Sequence, residues 1–238
     1  LGFNKIYIYD NEDKPIYNKI LKDYLKYIKI IHMPGNDYEN GVQYHALEHF
    51  INNFMYKDEL THVAHIDCDE FIVLKKHNQI KDFIKEYIIE DCAGIAMNWR
   101  FFGSNGLEDY DKRPLLERFT KCSEKGDITI KSLFDVSKFD YFLNCHSIVP
   151  KNEYKMKNTL GDTVIGSLNT NIDLSIIQLN HYKCKTLQEF KFIRQRGNAE
   201  FNRLNQPSEN IIANFNKYNI NEVEDLTAYN FYKKFIKN

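Results

Sequence analysis

The chain has 238 residues, of which 43% are hydrophobic and 14% aromatic, with 32 basic and 33 acidic side chains. This composition predicts one globular domain with a sizeable buried core. The balanced charge excludes the strongly basic surface of a general nucleic-acid binder, so we expect no nucleic-acid partner. No stretch approaches the roughly 20 apolar residues that a membrane-spanning helix needs.

The cysteines are odd in number, widely spaced and without a C-x-x-C pair. This pattern argues against a disulfide framework and a structural zinc site, and it favours a reducing compartment such as the cytoplasm. The chain begins at Leu1 directly in a strand-like segment without a signal-peptide pattern. It therefore fits a domain cut from a longer protein, whose targeting segments would be missing here.

The first half of the chain predicts alternating strands and helices. Strand patterns cover residues 5–10, 28–33, 60–67 and 92–99, and helical patterns cover residues 14–28, 41–57 and 77–91. Such alternation predicts an α/β domain with a largely parallel sheet covered on both faces. Ligands of such sheets bind at the carboxyl ends of the strands.

The second half has a looser pattern. A loop follows Trp99, shorter strands are predicted over residues 128–134 and 173–182, and a helix is predicted over 186–204. We assign residues 1–204 to one domain and 205–238 to a C-terminal helical tail. The end of this tail is basic and aromatic, which fits either a helix packed on the domain with its lysines in solvent or a peripheral contact with a membrane surface.

The stretch THVAHIDCDEFIVL, residues 61–74, carries acidic side chains inside an apolar run. In a strand, Asp67 and Asp69 would point from the same face. Two carboxylates at the end of the third strand form an oxygen-rich site for Mn²⁺ or Mg²⁺, and such an ion can bridge to a diphosphate. Alternatively, both aspartates cap the following turn or pair with Lys75 and Lys76.

The wider sequence carries further motifs in order. Asp10 and Asn11 end the first strand, where we expect them at the same rim of the sheet, in reach of a nucleoside base or ribose. The ordered set IYIYDN, Gln43, HIDCDEFI, NWRFFGSNG, LLERF, KSLF and LNHYKCKTLQEFKFIRQRG resembles a GT-A type glycosyltransferase of the family-2-like group related to glycosyltransferase family 92. DCDEF alone is a short motif, whereas the ordered set is specific.

The resemblance implies a nucleotide-sugar-binding α/β sandwich with a mixed, mostly parallel central sheet. It places Asp67 near the ribose and the metal, and it makes Asp69 a direct metal ligand. Glu70 would support the site or the fold, and His181 would be a further metal ligand. The alternative for His181 is a histidine bonded within the core or at the start of a helix.

The remaining motif residues are candidates for holding the two substrates. The basic candidates for contacts with the donor's diphosphate are Lys131, Lys185 and Arg196. Gln43 is either a donor contact or an amide on a helix surface. The candidates for an acceptor shelf are Trp99, Arg100 and Phe102, which lead into the turn-forming GSNG sequence. Trp99 also fits a plain core position.

We therefore expect transfer of a sugar from a nucleotide-sugar to a hydroxyl of a glycan, lipid-linked or protein-linked acceptor. The resemblance implies inversion, which requires a carboxylate base for the acceptor hydroxyl. Glu117 is the first candidate base and Asp162 the second. Glu117 fits equally well as the partner of Arg118 or Lys121 on a helix.

Two other functions remain open from the sequence. Phosphatases of the haloacid dehalogenase type also place Asp-x-Asp after a hydrophobic strand, but Phe71 stands where threonine or valine is usual. In this chain the motif strand is also the third rather than the first. A catalytically inactive nucleotide- or sugar-binding module would need a vestigial metal site, and the intact Asp67 and Asp69 argue against it.

Overall fold

The computed structural model describes residues 1–35, 38–195 and 208–235. The strands are β1 (Ile6–Asp10), β2 (Ile28–His32), β3 (His62–Ala64), β4 (Glu70–Leu74), β5 (Cys92–Phe101), β6 (Lys121–Cys122), β7 (Ile130–Asp135), β8 (Phe139–Phe142), β9 (Ile148–Pro150), β10 (Lys155–Lys157), β11 (Ile177–His181) and β12 (Val223–Glu224). The α-helices are α1 (Tyr17–Ile20), α2 (Val42–Phe50), α3 (Ile80–Tyr87), α4 (Leu115–Arg118), α5 (Leu187–Gln195), α6 (Ser208–Tyr218) and α7 (Thr227–Phe235). In this described part, no helix is both long and apolar enough to cross a membrane.

The central sheet is mixed. Its strand order is β3-β7-β5-β11-β4, and β10 also pairs with β5. Strand β11 runs parallel to β5 and antiparallel to β4, while β7 runs antiparallel to both β3 and β5. The α/β class is confirmed, but the prediction of a mostly parallel sheet was wrong. Strand β7 lies between β3 and β5 in the sheet, so the strands predicted one after another along the sequence are not neighbours in the sheet.

Strands β1 and β2 form a parallel pair of their own, outside the central sheet. Both strands were predicted at nearly their observed bounds. The expectation that Asp10 lies on the same sheet rim as the later motif was wrong, because in the described residues β1 pairs with β2 in a separate sheet. Asn11 follows the last residue of β1, and its side-chain amide joins β1 to the segment after β2. The amide donates to the carbonyls of Met33 and Gly35, both at 2.8 Å.

Two of the three helices predicted in the first half have a buried face. Helix α2 continues into a π-helical segment, Ile51–Met55, and buries Leu47 and Phe50. Helix α3 buries Ile80 and Phe83 at helical spacing. The long helix predicted over residues 14–28 is instead the short α1 and a 3₁₀ turn, neither of which buries a residue.

The core lies on both faces of the central sheet. Successive strand residues point to opposite faces, so Leu133 and Phe134 of β7 enter two different hydrophobic clusters. Both side chains are fully buried, and each burial contributes about 2 kcal/mol to folding. One cluster packs under α3 and the other under α2, which gives the sheet its two covering layers.

The C-terminal residues contact the sheet. Strand β12 pairs with β6, and the Asp225 carboxylate that follows it lies 2.8 Å from Arg100 Nη1 and 2.9 Å from Lys75 Nζ. Helix α6 shares a hydrophobic cluster with α5. The predicted domain boundary after residue 204 falls outside the described residues and stays a prediction.

Candidate active site

The Asp-x-Asp motif lies in a turn between β3 and β4. The backbone N–H of Glu70 donates to the Asp67 carbonyl at 3.0 Å, and Glu70 Oε2 accepts the Asp67 N–H at 2.9 Å. The motif does follow the predicted strand, but Asp67 and Asp69 are in the turn and not on a strand face. The turn that Glu70 closes, rather than strand alternation, therefore sets how both aspartates project.

Asp67 is held by side chains from two other elements. Gln43 of α2 donates to Asp67 Oδ1 at 3.1 Å, and Lys131 Nζ of β7 lies 3.3 Å from Oδ2. Burial acts to raise the pKa of Asp67, but Lys131, His65 and His181 together hold this pKa below its usual value. Asp67 is therefore an ionised carboxylate whose orientation is fixed from two sides.

Asp69 faces the end of β11. Lys185 Nζ donates to Asp69 Oδ2 at 3.0 Å, and His181 Nε2 lies 3.8 Å from Oδ1. The Asp69 carbonyl accepts the N–H of Tyr182 at 2.9 Å. Backbone and side chain of Asp69 are thus both tied to the LNHYKCK motif, so the structure brings together two motifs that are far apart in the sequence.

His181 is a buried histidine, and one of its ring nitrogens makes no hydrogen bond within the described residues. Its Nδ1 has no hydrogen-bond partner there, and its ring packs against Trp99 with centroids 4.4 Å apart. Burial lowers the pKa of His181 to about 4, so the imidazole is neutral at neutral pH. A neutral imidazole keeps a lone pair, which is the form that binds metal ions.

Lys185 has an unusual backbone. Its φ of 52° lies in the left-handed region, which is uncommon for a residue other than glycine and costs about 1 kcal/mol. The strained backbone coincides with the contact between its ammonium group and Asp69. Strain of this kind concentrates at functional sites, which supports the prediction that Lys185 belongs to the site.

Lys131 lies beneath the motif and is fully buried. Its Nζ donates to the Cys145 carbonyl at 2.9 Å and lies 4.0 Å from Glu70 Oε2. Burial raises the pKa of Glu70 to about 8, although Lys131 acts in the opposite direction. Lys131 was predicted to contact a diphosphate, and the structure places it behind Asp67 instead, without access to solvent.

His65 is a site residue that the sequence analysis missed. Its Nδ1 donates to the Cys145 carbonyl at 3.0 Å, the same carbonyl that accepts from Lys131. Burial lowers the pKa of His65 to about 4. A signal was present in the sequence, because His65 lies two residues before Asp67 and continues the i, i+2 series of the motif.

Asp69 and His181 are suitably spaced for a shared divalent ion. Two ligand atoms that are each about 2.1 Å from one ion lie roughly 3 to 4 Å apart. The 3.8 Å between Asp69 Oδ1 and His181 Nε2 is in this range. Among the described residues no three His, Cys, Asp or Glu side chains form a complete ligand group. Mn²⁺ or Mg²⁺ at these two atoms would take its other ligands from water or from a bound anion.

The strand β1 candidates occupy different surroundings. Asp10 is buried, its Oδ1 accepts the Glu12 N–H at 3.0 Å, and its Oδ2 has no partner among the described residues. A buried carboxylate oxygen without a partner is costly, so a ligand donor would be favourable there. Asn11 uses its amide to join β1 and β2 and is already engaged.

The predicted acceptor residues are buried or engaged. Trp99 is 8% exposed, and Phe102 is 1% exposed in a cluster with Phe119 and Tyr182. The Arg100 guanidinium bonds to the Ser123 carbonyl and to Asp225. These side chains therefore stabilise the core and the C-terminal strand, and this geometry gives no support to an acceptor shelf formed by them.

Comparison with protein families decides the class of this chain. The model for glycosyltransferase family 92 matches residues 1–230. The chain belongs to glycosyltransferase family 92. A comparison with curated proteins finds no match.

Membership in family 92 supports glycosyltransferase activity and favours it over the phosphatase alternative. The two candidate bases lie in different settings. Glu117 is in the short helix α4, whose Arg118 pairs with Glu189 at 2.7 Å. Asp162 is exposed and accepts from the amides of Asn158 and Asn171. Arg196, a predicted donor contact, lies outside the described residues.

Proposed function

We propose that this family 92 glycosyltransferase moves a sugar from a nucleotide-sugar donor to a hydroxyl of a glycan, lipid-linked or protein-linked acceptor. The proposal includes a GT-A type fold and a requirement for Mn²⁺ or Mg²⁺. The observation that carries it is the meeting of Asp67 and Asp69 with His181 and Lys185 at one turn. This arrangement combines ligands for a hard cation with a lysine suited to a phosphate.

In this proposal Asp69 and His181 hold the divalent ion. The bound ion would neutralise negative charge on the diphosphate as it leaves the sugar. Lys185 already lies beside Asp69, with 3.0 Å between Nζ and Oδ2, and its ammonium group can exchange that carboxylate for a phosphate oxygen. Gln43 and Lys131 keep Asp67 oriented toward the donor's ribose and the ion.

Inversion requires a base that takes the acceptor's proton during attack. The side-chain amides of Asn158 and Asn171 hold the pKa of Asp162 below its usual value, which makes Asp162 a weaker base. This favours Glu117 for the role. Asp10, Asn11 and Arg196 complete the proposed donor contacts, and Asp10 is the most attractive of them because its buried Oδ2 lacks a partner among the described residues.

The proposed setting is the cytoplasm, with a peripheral membrane contact through the C-terminal tail. The tail's helix α7 has Lys233 and Lys234 in its last turn, both exposed. Such a contact would bring the enzyme near a lipid-linked acceptor.

A screen of nucleotide-sugars tests the proposed function. The protein is incubated with each donor in Mn²⁺, in Mg²⁺ and in chelator, and release of sugar and nucleotide diphosphate is measured. We expect one donor to be cleaved well above the others, and only with metal. Release of phosphate from a phosphate monoester without cleavage of any donor would favour the phosphatase. Donor binding without cleavage would favour an inactive binding module.

A further inference from the structure

The segment from Lys14 to Lys29 presents an apolar surface with lysines around it, which we call the α1 surface. It contains α1 and the following 3₁₀ turn, Lys22–Tyr24, and neither element buries a residue. Its large apolar side chains are between 42% and 61% exposed and are Ile16, Ile20, Tyr24, Leu25 and Tyr27. Solvent-exposed apolar residues are normal singly, but five of them within residues 16–27 point to an interaction surface.

The spacing of these side chains fits a longer helix than the one observed. Ile16, Ile20, Tyr24 and Tyr27 recur at the intervals of one helix face. The structure has only the four-residue α1 and a 3₁₀ turn over this stretch. Isolated helices of this length are marginal in water without a surface that covers their apolar face. A partner that covers the α1 surface would therefore also favour its helical form.

The charge of the α1 surface identifies the kind of partner. Lys14 to Lys29 contains five lysines and one aspartate, whereas the whole chain has a net charge of −1. The segment has no arginine, although arginine is enriched and lysine depleted where proteins bind proteins. Lysines beside tyrosines and aliphatic residues are typical of helices that lie in a membrane interface, where tyrosine occupies the headgroup level.

We propose that the α1 surface docks on an anionic lipid membrane. The exposed apolar side chains, represented by Ile20 and Tyr24, enter the boundary between headgroups and acyl chains. The exposed ammonium groups of Lys19, Lys22 and Lys26 contact the acidic headgroups. This contact is separate from the Asp-x-Asp site and from the C-terminal tail, and it orients the transferase on the membrane.

Co-sedimentation with vesicles tests this surface. The full chain is mixed with vesicles of phosphatidylcholine alone or with added phosphatidylglycerol, and helicity is followed by circular dichroism. We expect binding and a gain in helicity only with phosphatidylglycerol. We expect Lys22→Glu with Lys26→Glu to weaken binding about tenfold or more. Ile20→Asn with Tyr24→Ser should also abolish the gain in helicity.

Matched changes at other exposed positions serve as controls. Ile165→Asn changes an isoleucine that is 89% exposed, and Lys112→Glu with Lys125→Glu reverses two exposed lysines elsewhere. These controls should bind vesicles like wild type, and all variants should keep the wild-type unfolding midpoint because the altered side chains are exposed.

Four outcomes would overturn the proposal. The first is that wild type binds no vesicle, and the second is that it binds neutral and anionic vesicles equally. In the third, binding is lost only when Lys233 and Lys234 of α7 are reversed, which would place the contact on the tail. In the fourth, sedimentation shows a dimer that Ile20→Asn disrupts, so that a second copy of the chain covers the surface.

Discussion

His181 lies directly opposite Glu70 in the antiparallel ladder between β11 and β4. Because Asp69 immediately precedes Glu70, this register sets His181 Nε2 3.8 Å from the Asp69 carboxylate. A shift of one residue in the ladder would turn His181 to the other face of the sheet. The distance between the two proposed metal ligands is therefore set by the register of the sheet together with the turn that precedes β4.

Removing the charge of Asp69 should abolish transfer without unfolding the protein. Asp69→Asn keeps the size of the side chain but loses the charge that would hold the metal. We expect kcat to fall about a hundredfold or more. Since the Asp69 side chain is partly exposed, the loss of its pair with Lys185 should change the free energy of unfolding by less than about 1 kcal/mol. Transfer assays and thermal unfolding measure the two effects.

Asp140→Asn is the control for this prediction, because Asp140 is an exposed aspartate on β8. It should retain wild-type kcat. Wild-type turnover in Asp69→Asn would show that the Asp-x-Asp pair is structural.

His181→Ala should raise the metal concentration needed for half-maximal activity. An imidazole must be neutral to bind the ion, and burial lowers the pKa of His181 to about 4. Proton competition should therefore begin well below the usual histidine pKa of about 6.5. Activity against Mn²⁺ concentration at several pH values, for both proteins, is the measurement. Equal metal demand in the two proteins would leave His181 as a core residue.

Stability should decline as the solution becomes acidic through the histidine range. Burial lowers the pKa of His65, His146 and His181, so these side chains are neutral when folded and take up protons more readily when unfolded. Their contribution is fully present above about pH 6.5, and for His65 and His181 it is lost as pH falls toward about 4. His65→Gln should make the unfolding midpoint less sensitive to pH in this window. An unchanged pH dependence would contradict the burial of a neutral His65.

Lys131 and Glu70 should be coupled in their effect on stability. Lys131→Met leaves the buried Glu70 and the partly buried Asp67 without their cation, and we expect a loss of about 3 kcal/mol. Above about pH 8, where Glu70 is ionised, Glu70→Gln removes one of these charges, so the double variant should be less destabilised there than the sum of the single variants. Urea unfolding of the four proteins gives the coupling. Lys112→Met, at an exposed lysine, should have no effect, and additive losses would rule out the interaction.

Asp225 should be required for attachment of the C-terminal strand. Asp225 lies between Arg100 and Lys75. Burial acts to raise the pKa of Asp225, but the hydrogen bonds from Thr227 and Lys75 outweigh it and hold this pKa below its usual range. Asp225→Ala leaves two partly buried cations unpaired, so we expect a loss of about 3 kcal/mol. Asp111→Ala, which removes a pair near the surface with Arg113, is the matched control. Similar midpoints for the two variants would contradict this role.

Much of the site could be predicted from the sequence. The Asp-x-Asp motif, Gln43, His181 and Lys185 were selected as site residues, and the structure brings them into one region. Their proposed roles stay predictions. Strands β1, β2 and β5 were also predicted close to their bounds, because apolar periodicity is a property of neighbouring residues and is visible in the chain itself.

The tertiary structure alone decided strand order and the burial of charged groups. Strand β7 runs between β3 and β5 and places Lys131 beneath Asp67. Asp225 forms an ion pair with the guanidinium of Arg100. The sequence shows that Lys131 and Arg100 are basic but does not show which carboxylate each one meets. Such pairings join residues far apart in the chain, and they depend on the register and packing of the whole sheet, which no local pattern of residues contains.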